Sequence, residues 1–443
     1  MFDDSLVNEA SMINILIITL IVVAIFLGYK TKLNTGLYSI VFAYIVGTFV
    51  LGLKPTDVIK MWPISIFFVI LSISLFYNLA ISNGTLEVLA QHMLYRTRHY
   101  PAMLPLAIFI AATILAALGA GFFAVMAFFG PITMILCRRL QISPLVGALA
   151  VNYGALCGNN FMISPGGVVF IGLMNQAGYE AVSYMNEITI FLASFIIPLI
   201  VLSLMIFLGC RQRGDRGLLE VSIQKPSAFN SIQKKTLALI CCMIVAVLIV
   251  PLLKSIIPDV HILKVLNGYV DVGLMAIVFA VIGLLLKLGN EKDIIKQVPW
   301  GTLLMICGVG MLIAVAIKAG TIKMIASWVT GSVPAPVVPI MMGLVGGFMS
   351  FFSSTMGVVT PALFPLVPVL SQNTGIGADV LFSTIVIGAQ ATAISPFSSG
   401  GSLMLSAVNE SEREQMFTDL LMKGVPICYA ASIVYAVVVM LLL

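Results

Sequence analysis

Residues 353–402 read SSTMGVVTPALFPLVPVLSQNTGIGADVLFSTIVIGAQATAISPFSSGGS. The surrounding chain is apolar and membrane-like, yet this stretch is rich in Ser, Thr, Gly and Pro. Hydrocarbon offers no partner to an unpaired backbone polar group. Irregular backbone therefore persists at membrane depth only where protein or a water-filled cavity surrounds it. A stretch of the same character, GAGFFAVMAFFGPI…NYGALCGNNFMISPGG, occupies 119–167. Two polar, interrupted segments in matching places of two halves mark a site built from discontinuous helices.

Composition sets the class. Of 443 residues, 60% are hydrophobic and 9% charged, against about 25% charged in soluble domains. The chain reads as an all-α polytopic membrane protein. Its net charge of +5 belongs to topology, so no nucleic-acid partner is expected. Seven scattered Cys, an odd number without a CxxC pair, indicate neither a disulfide framework nor a zinc site. The opening MFDDSLVNEASM lacks the basic region and cleavage site of a signal peptide, so the first apolar run is expected to be a retained span.

Runs of about 17–21 apolar residues can cross a bilayer as helices. In the first half, 1–208, they fall at 12–28, 37–53, 63–81 and 188–208. Paired arms follow at 102–118 and 122–137, then a broken span over 144–174. A polar stretch, 84–98, carries Leu86, Leu89 and Met93 and suits an interfacial helix. A hydrophilic linker, 209–235, holds Arg211, Arg213, Arg216, Lys225, Lys234 and Lys235. The second half, 236–443, gives spans at 236–253, 273–286, 300–317 and 425–443. It has arms at 336–352 and 356–370 and a broken span over 380–408. The arm pairs, 102–137 and 336–370, fit either re-entrant hairpins or pairs of short full spans.

The halves repeat. Gly36-Leu37 with Ile40-Val41-Phe42-Ala43 matches Gly273-Leu274 with Ile277-Val278-Phe279-Ala280, an offset of 237. Gly84-Thr85-Leu86 matches Gly320-Thr321-Ile322 at 236. Gly119-Ala120-Gly121, ten residues before Pro131, matches Ser353-Ser354-Thr355, ten before Pro365, at 234. Ile163-Ser164-Pro165 matches Ile394-Ser395-Pro396 at 231. Five full spans per half, an odd number, invert the second repeat relative to the first. With the N-terminus outside, cytoplasmic segments hold 17 Lys/Arg and exterior segments six, which satisfies the positive-inside rule. Both termini are then expected outside an inner (plasma) membrane.

No Asp, Glu, Lys, Arg or His is expected deep inside a span; His92, His99 and His261 fall in connecting segments. That weakens a proton relay and leaves an intramembrane enzyme without a catalytic constellation. Neutral polar groups remain. Half-helix N-termini suit an anion, while unwound carbonyls and Ser, Thr or Asn oxygens suit a small cation such as Na⁺. The substrate-site candidates are Asn159, Asn160, Ser164, Pro165, Gly166, Ser353, Ser354, Thr355, Ser395, Pro396 and Ser398. Asn152, Thr392 and Ser399 lie beside them, and Phe122 and Phe123 suit a pocket wall. Ser350, Ser371 and Ser383 are expected only to back-bond to their own helices.

Each half resembles a repeat of the ion transporter superfamily, which includes the divalent anion/sodium symporters. Those proteins carry a Ser-Asn-Thr turn at each hairpin tip and an unwound Gly/Pro stretch in the next span. Here Ser353-Ser354-Thr355 stands at the second turn. Asn159-Asn160…Ser164-Pro165-Gly166 and Ala393-Ile394-Ser395-Pro396 stand at the unwound stretches. The first half is most similar to the malonate-carrier-like dicarboxylate carriers, through NGTLEVLAQHM, ALGAG…GPI and VNYGALCGN…SPGG. The resemblance implies Na⁺ sites drawing on Gly119, Gly121, Asn159, Ser353, Thr355 and Thr392. Gly119-Ala120-Gly121 departs from Ser-Asn-Thr and offers only backbone oxygens. The resemblance further implies a homodimer, with hairpins and broken spans moving as an elevator-like unit. The expected activity is secondary transport of a small organic dianion such as malonate, coupled to Na⁺, with no other cofactor. A proton-coupled or antiport carrier of another organic or inorganic anion is the alternative.

Overall fold

The computed structural model describes residues 2–96, 103–213, 226–256 and 272–442. Arg98, at the end of the expected interfacial stretch 84–98, and His99, Arg216, Lys225, His261 and Lys264, in expected connecting segments, lie outside them. Every regular element among the described residues is helical. The first half comprises α1 (Phe2–Thr31), α2 (Thr35–Ile45), α3 (Ile64–Ser82), α4 (Thr85–Arg96), α5 (Leu104–Leu115), α6 (Gly121–Arg139), α7 (Pro144–Asn159), α8 (Pro165–Gln176) and α9 (Ser183–Arg213). The second comprises α10 (Ser231–Ile256), α11 (Val272–Leu285), α12 (Trp300–Ala319), α13 (Thr321–Ser332), α14 (Val338–Phe351), α15 (Val367–Thr374), α16 (Ala378–Ala391), α17 (Ser399–Ala407), α18 (Glu410–Asp419) and α19 (Val425–Leu442).

Local chemistry sets the ends. The Asn34 side chain accepts the Gly36 N–H at 2.9 Å and caps α2. Gly320 (φ 84°) and Gly375 (φ 73°) stop α12 and α15 in the left-handed region. Between α14 and α15 the chain is a succession of short turns, Thr355–Val359, Thr360–Leu363 and Phe364–Leu366. Pro361 and Pro365 in this stretch lack the N–H that a regular helix needs.

Seven helical runs among the described residues are long and apolar enough to cross a membrane. One of them, Leu104–Arg139, is not a single span, because its two arms pack on α7 in opposite directions. A Cβ on Gly154 would meet Phe109 O at 2.5 Å, and one on Gly158 would meet Ala116 Cβ at 2.7 Å, so α5 runs parallel to α7. A Cβ on Gly147, near the start of α7, would meet Cys137 Sγ at 2.5 Å, near the end of α6. Phe122 and Phe123, at the start of α6, share a cavity with Asn159 at the end of α7. The α6 arm is therefore antiparallel to α7 and to α5. The reversal falls at Gly119 (φ 89°) and Gly121 (φ 70°), a left-handed backbone that glycine adopts freely.

The second hairpin repeats this. Gly343 packs on Thr384 O and Gly347 on Gly388 O, so α14 runs parallel to α16. The return arm crosses back, with the Phe364 and Phe382 rings 4.6 Å apart and Ser371 Oγ donating to Ile376 O at 2.7 Å. Two further helix pairs join the halves. Gly36 of α2 packs on Leu304 and Met305 of α12, and Gly283 of α11 packs on Leu79 of α3. Asn34 Nδ2 donates to Gly301 O at 2.6 Å, and Asn78 Nδ2 to Ile294 O at 2.8 Å. Two buried apolar clusters result. One joins α3, α5, α6 and α7 with α10 and α11; the other joins α1, α2, α8 and α12 with α14 and α16.

Several boundaries differ from the sequence expectation. The first break is confined to 160–164 and the second to 392–398. The expected linker 209–235 is helical at both ends, because α9 continues to Arg213 and α10 begins at Ser231. Most consequentially, α9 begins at Ser183 and not near 188. The added turn carries Glu187 into the packed interior, where it is 0% exposed. Glu187 stands near one end of the candidate span Ser183–Leu208 and is a buried carboxylate that the sequence expectation did not single out.

Candidate binding site

Both hairpins and both breaks converge on one cavity. Phe122 and Phe123 reach it from the start of α6, and Leu156, Asn159 and Asn160 from the end of α7. Ser350 and 353–356 come from the second hairpin, Gln390 from α16, and Ala393 and 398–400 from the second break. Thr302 and Met305 of α12 close it from outside these elements. No side chain lining it carries a charge.

The two breaks are built alike. Ser164 precedes α8 in extended backbone, and its Oγ donates to Asn159 O at 2.5 Å and Phe161 O at 2.6 Å. Ser398 precedes α17 in the same conformation, and its Oγ donates to Ala393 O at 2.5 Å and Ser395 O at 2.8 Å. In each, the proton of the serine goes to carbonyls freed by the unwound turn. Glycines follow each serine because the unwound backbone lies against them. A Cβ on Gly167 would meet Asn160 O at 2.8 Å, and one on Gly401 would strike the carbonyls of Ile394 and Ser395.

This geometry corrects one repeat match. Ser164 corresponds to Ser398, an offset of 234, and not to Ser395 at 231. The glycine pairs Gly166-Gly167 and Gly400-Gly401 share that offset, as do the hairpin turns. Pro165 opens a helix, whereas Pro396 lies inside the break. The Ser395 hydroxyl is fully buried, accepts the Phe397 N–H at 3.2 Å, and does not border the cavity.

At the second hairpin tip each hydroxyl has a defined bond. Ser353 Oγ donates to Met349 O at 2.6 Å, and Ser354 Oγ accepts the Gly357 N–H at 3.1 Å. Thr355 Oγ1 pairs with Ser350 Oγ at 2.9 Å. A hydroxyl has one proton and two lone pairs, so Ser353, its proton spent, presents oxygen lone pairs, and Ser398, which also accepts the Gly401 N–H at 3.4 Å, keeps one. Thr392 spends its proton on Gly347 O at 2.8 Å and lies off the cavity. Gly119 packs on the Tyr77 ring and Gly121 faces open space. Neither glycine borders the cavity; Phe122 and Phe123 do.

Asn160 joins the two breaks. Its Nδ2 donates to Gln390 Oε1 at 3.1 Å and to Ser194 Oγ at 3.1 Å, and its Oδ1 accepts Gln390 Nε2 at 2.9 Å. Tyr153 OH donates to Ala391 O at 2.8 Å alongside. Asn159 Nδ2 points at Met356 Sδ, 4.0 Å away in the second hairpin. Asn152 is fully buried beside Gly400, with neither amide atom hydrogen-bonded. The sequence reading missed Gln390, Thr302 and Met305 and took Ser350 for mere packing. Gln390 carried a usable signal, as the only amide in the apolar run of α16. Thr302 and Met305 carried none, because tertiary packing alone brings α12 to the cavity. Among the described residues no cluster of His, Cys, Asp or Glu could hold a metal ion. A cation here would be held by neutral oxygens.

Residues 12–159 match the family model described as the N-terminus of dicarboxylate carrier protein MatC. Curated proteins yield no match to the chain. Among solved structures the chain is similar to the YdaH transporter of Alcanivorax borkumensis. The TM-score is 0.59 at 15% identity, over 89% of this chain and 88% of that one. The chain thus has the all-α, multi-spanning membrane fold of a known transporter. The family-model match adds a likeness to dicarboxylate carriers over its first third.

Proposed function

We propose that the protein is a secondary active transporter of small organic dianions of the dicarboxylate type, coupled to Na⁺. The carrying observation is the single uncharged cavity that collects both hairpins and both broken spans. The start of α17, where Ser399 and Gly400 border the cavity, offers N–H groups and a positive dipole end for a carboxylate. Lone pairs on Ser353 and Ser398 suit Na⁺. The family-model match over 12–159 supports the substrate class. In this reading the halves are inverted repeats, and α5–α8 with α14–α17 move against the other helices in an elevator-like cycle. The protein works as a homodimer in the plasma membrane with both termini outside.

Uptake of labelled malonate into proteoliposomes tests this. An inward Na⁺ gradient is expected to drive accumulation, and replacing Na⁺ by choline at fixed pH is expected to abolish it. Equal uptake in choline would end the Na⁺ claim, and no uptake of any C3 or C4 diacid would end the substrate claim. Asn159→Ala and Thr355→Ala are each expected to remove at least nine-tenths of uptake, about 1.4 kcal/mol per tenfold, while detergent-purified protein keeps its fold and dimer. Full activity in both would place the site elsewhere.

A further inference from the structure

Glu187 is the one acidic or basic side chain in the buried class among the described residues, at 0% exposure. Neither carboxylate oxygen has a hydrogen-bond partner, and none of the ion pairs among the described residues includes it. It sits on the fifth residue of α9, past the first turn whose free N–H groups could serve an anion. The elements packed on α9 are α5, α7, α8, α16 and α19. Their titratable groups are Tyr153 and Cys157 on α7, Asp379 on α16, and Cys428, Tyr429 and Tyr435 on α19. Tyr179 and Glu180 lie in the connection before α9. None of these elements carries Lys, Arg or His, and Asp379 would add like charge. On α9 itself the cations are Arg211 and Arg213, 24 residues and more away, about 36 Å along the helix. An unpaired carboxylate is too costly to bury, whereas a carboxylic acid is tolerated.

The position is tied to the cavity. Glu187 and Ser194 are seven residues apart, hence on one face of α9 and about 10 Å apart along it. Ser194 Oγ accepts a hydrogen bond from Asn160, which lines the cavity. Asn175 Oδ1 and Asn186 Nδ2, on either side of the α8–α9 connection, are also buried without partners. Buried polar groups are normally hydrogen-bonded, so each of these calls for an explanation.

We propose that Glu187 is a proton-binding site of the transport cycle, loaded in the conformation described here and emptied when α8 and α9 part. A proton fits better than a metal ion, because no further carboxylate, His or Cys joins Glu187 in a ligand cluster. The place in the cycle rests on the transport reading above; the protonation does not. The proton moves as a simple acid–base exchange, from Glu187 to water and back.

Infrared spectra of the purified protein test the first part. The carbonyl stretch of a buried carboxylic acid is expected at neutral pH, shifted in D₂O, and absent in Glu187→Gln. No such band, or a band unchanged in the variant, overturns the proposal. Uptake by proteoliposomes tests the second. Wild-type uptake is expected to change with pH by up to about tenfold per unit where one proton is linked. Glu187→Gln, which mimics the protonated side chain, is expected to flatten that profile while the protein stays folded. A lost band with an unchanged profile would make Glu187 a static acid and overturn its place in the cycle. If the wild type transports no diacid, the proposed function fails, and the infrared band still decides whether Glu187 holds a proton.

Discussion

Gly388→Ala is expected to abolish the folded protein or to lower its thermal stability severely. Gly388 lies where α14 and α16 run closest. A Cβ there would stand 2.5 Å from Gly343 Cα and still nearer its carbonyl oxygen. The obstacle is backbone, so no rotamer change relieves it, and the helices must separate. Separation would pull Thr392 Oγ1 off Gly347 O, a 2.8 Å bond that holds the second break against the hairpin. Overpacking costs about 1–3 kcal/mol and sometimes more, and small-residue contacts of this kind are the main attraction between helices in lipid. Gly158→Ala should behave alike, since its Cβ would strike Thr113 O and approach Ala116 Cβ at 2.7 Å. Gly331→Ala is the control. Nothing lies within 4 Å of its missing Cβ, and alanine in a helix gains up to about 1 kcal/mol over glycine. The readouts are the yield of monodisperse protein in detergent and its melting temperature. A Gly388→Ala protein as stable as wild type would refute the close contact.

Part of this architecture was legible in the sequence. The hairpin turn at Gly119-Ala120-Gly121 was readable because two glycines bracket a reversal between apolar arms. Both breaks were readable because Ser, Asn, Gly and Pro are costly at membrane depth unless a cavity receives them. The register of the second break was misread. Ile163-Ser164-Pro165 and Ile394-Ser395-Pro396 look alike, yet the second lies one turn too early to start a helix. The structural counterpart of Ser164 is Ser398, which shares a hydrogen-bonding role and not a tripeptide. Glu187 was missed for a related reason. Hydropathy places a span's start at its first apolar run, whereas α9 begins one turn earlier, where Ser183 and Asn186 are buried by tertiary packing while Tyr184 and Met185 stay exposed. Ser350 shows the limit of residue-type reasoning. Its hydroxyl does stay close to home, on Thr355, but that partner carries it to the cavity wall.

Replacing either member of the Asn160–Gln390 pair by leucine is expected to cost more than replacing both. In the folded chain the two amides exchange hydrogen bonds, at 3.1 and 2.9 Å, in a fully buried setting. They are the direct side-chain link between the end of α7 and the end of α16, and so between the two breaks. Asn160→Leu strands the Gln390 amide, and Gln390→Leu strands that of Asn160 on all but its Ser194 contact. A stranded buried amide costs about 1–3 kcal/mol, whereas removing both partners together can be nearly neutral. The double variant should therefore melt closer to wild type than the sum of the singles, with a coupling of about 0.5–3 kcal/mol. Uptake should follow a different course. If the amides serve only to latch the breaks, the double variant regains transport along with stability. If they also face the substrate, as their place on the cavity wall implies, uptake stays at least tenfold down in all three variants. Singles that add within about 0.5 kcal/mol would show that this pair does not couple the two breaks energetically. Among the described residues the Tyr153–Ala391 bond would then remain as the hydrogen bond from α7 to the end of α16.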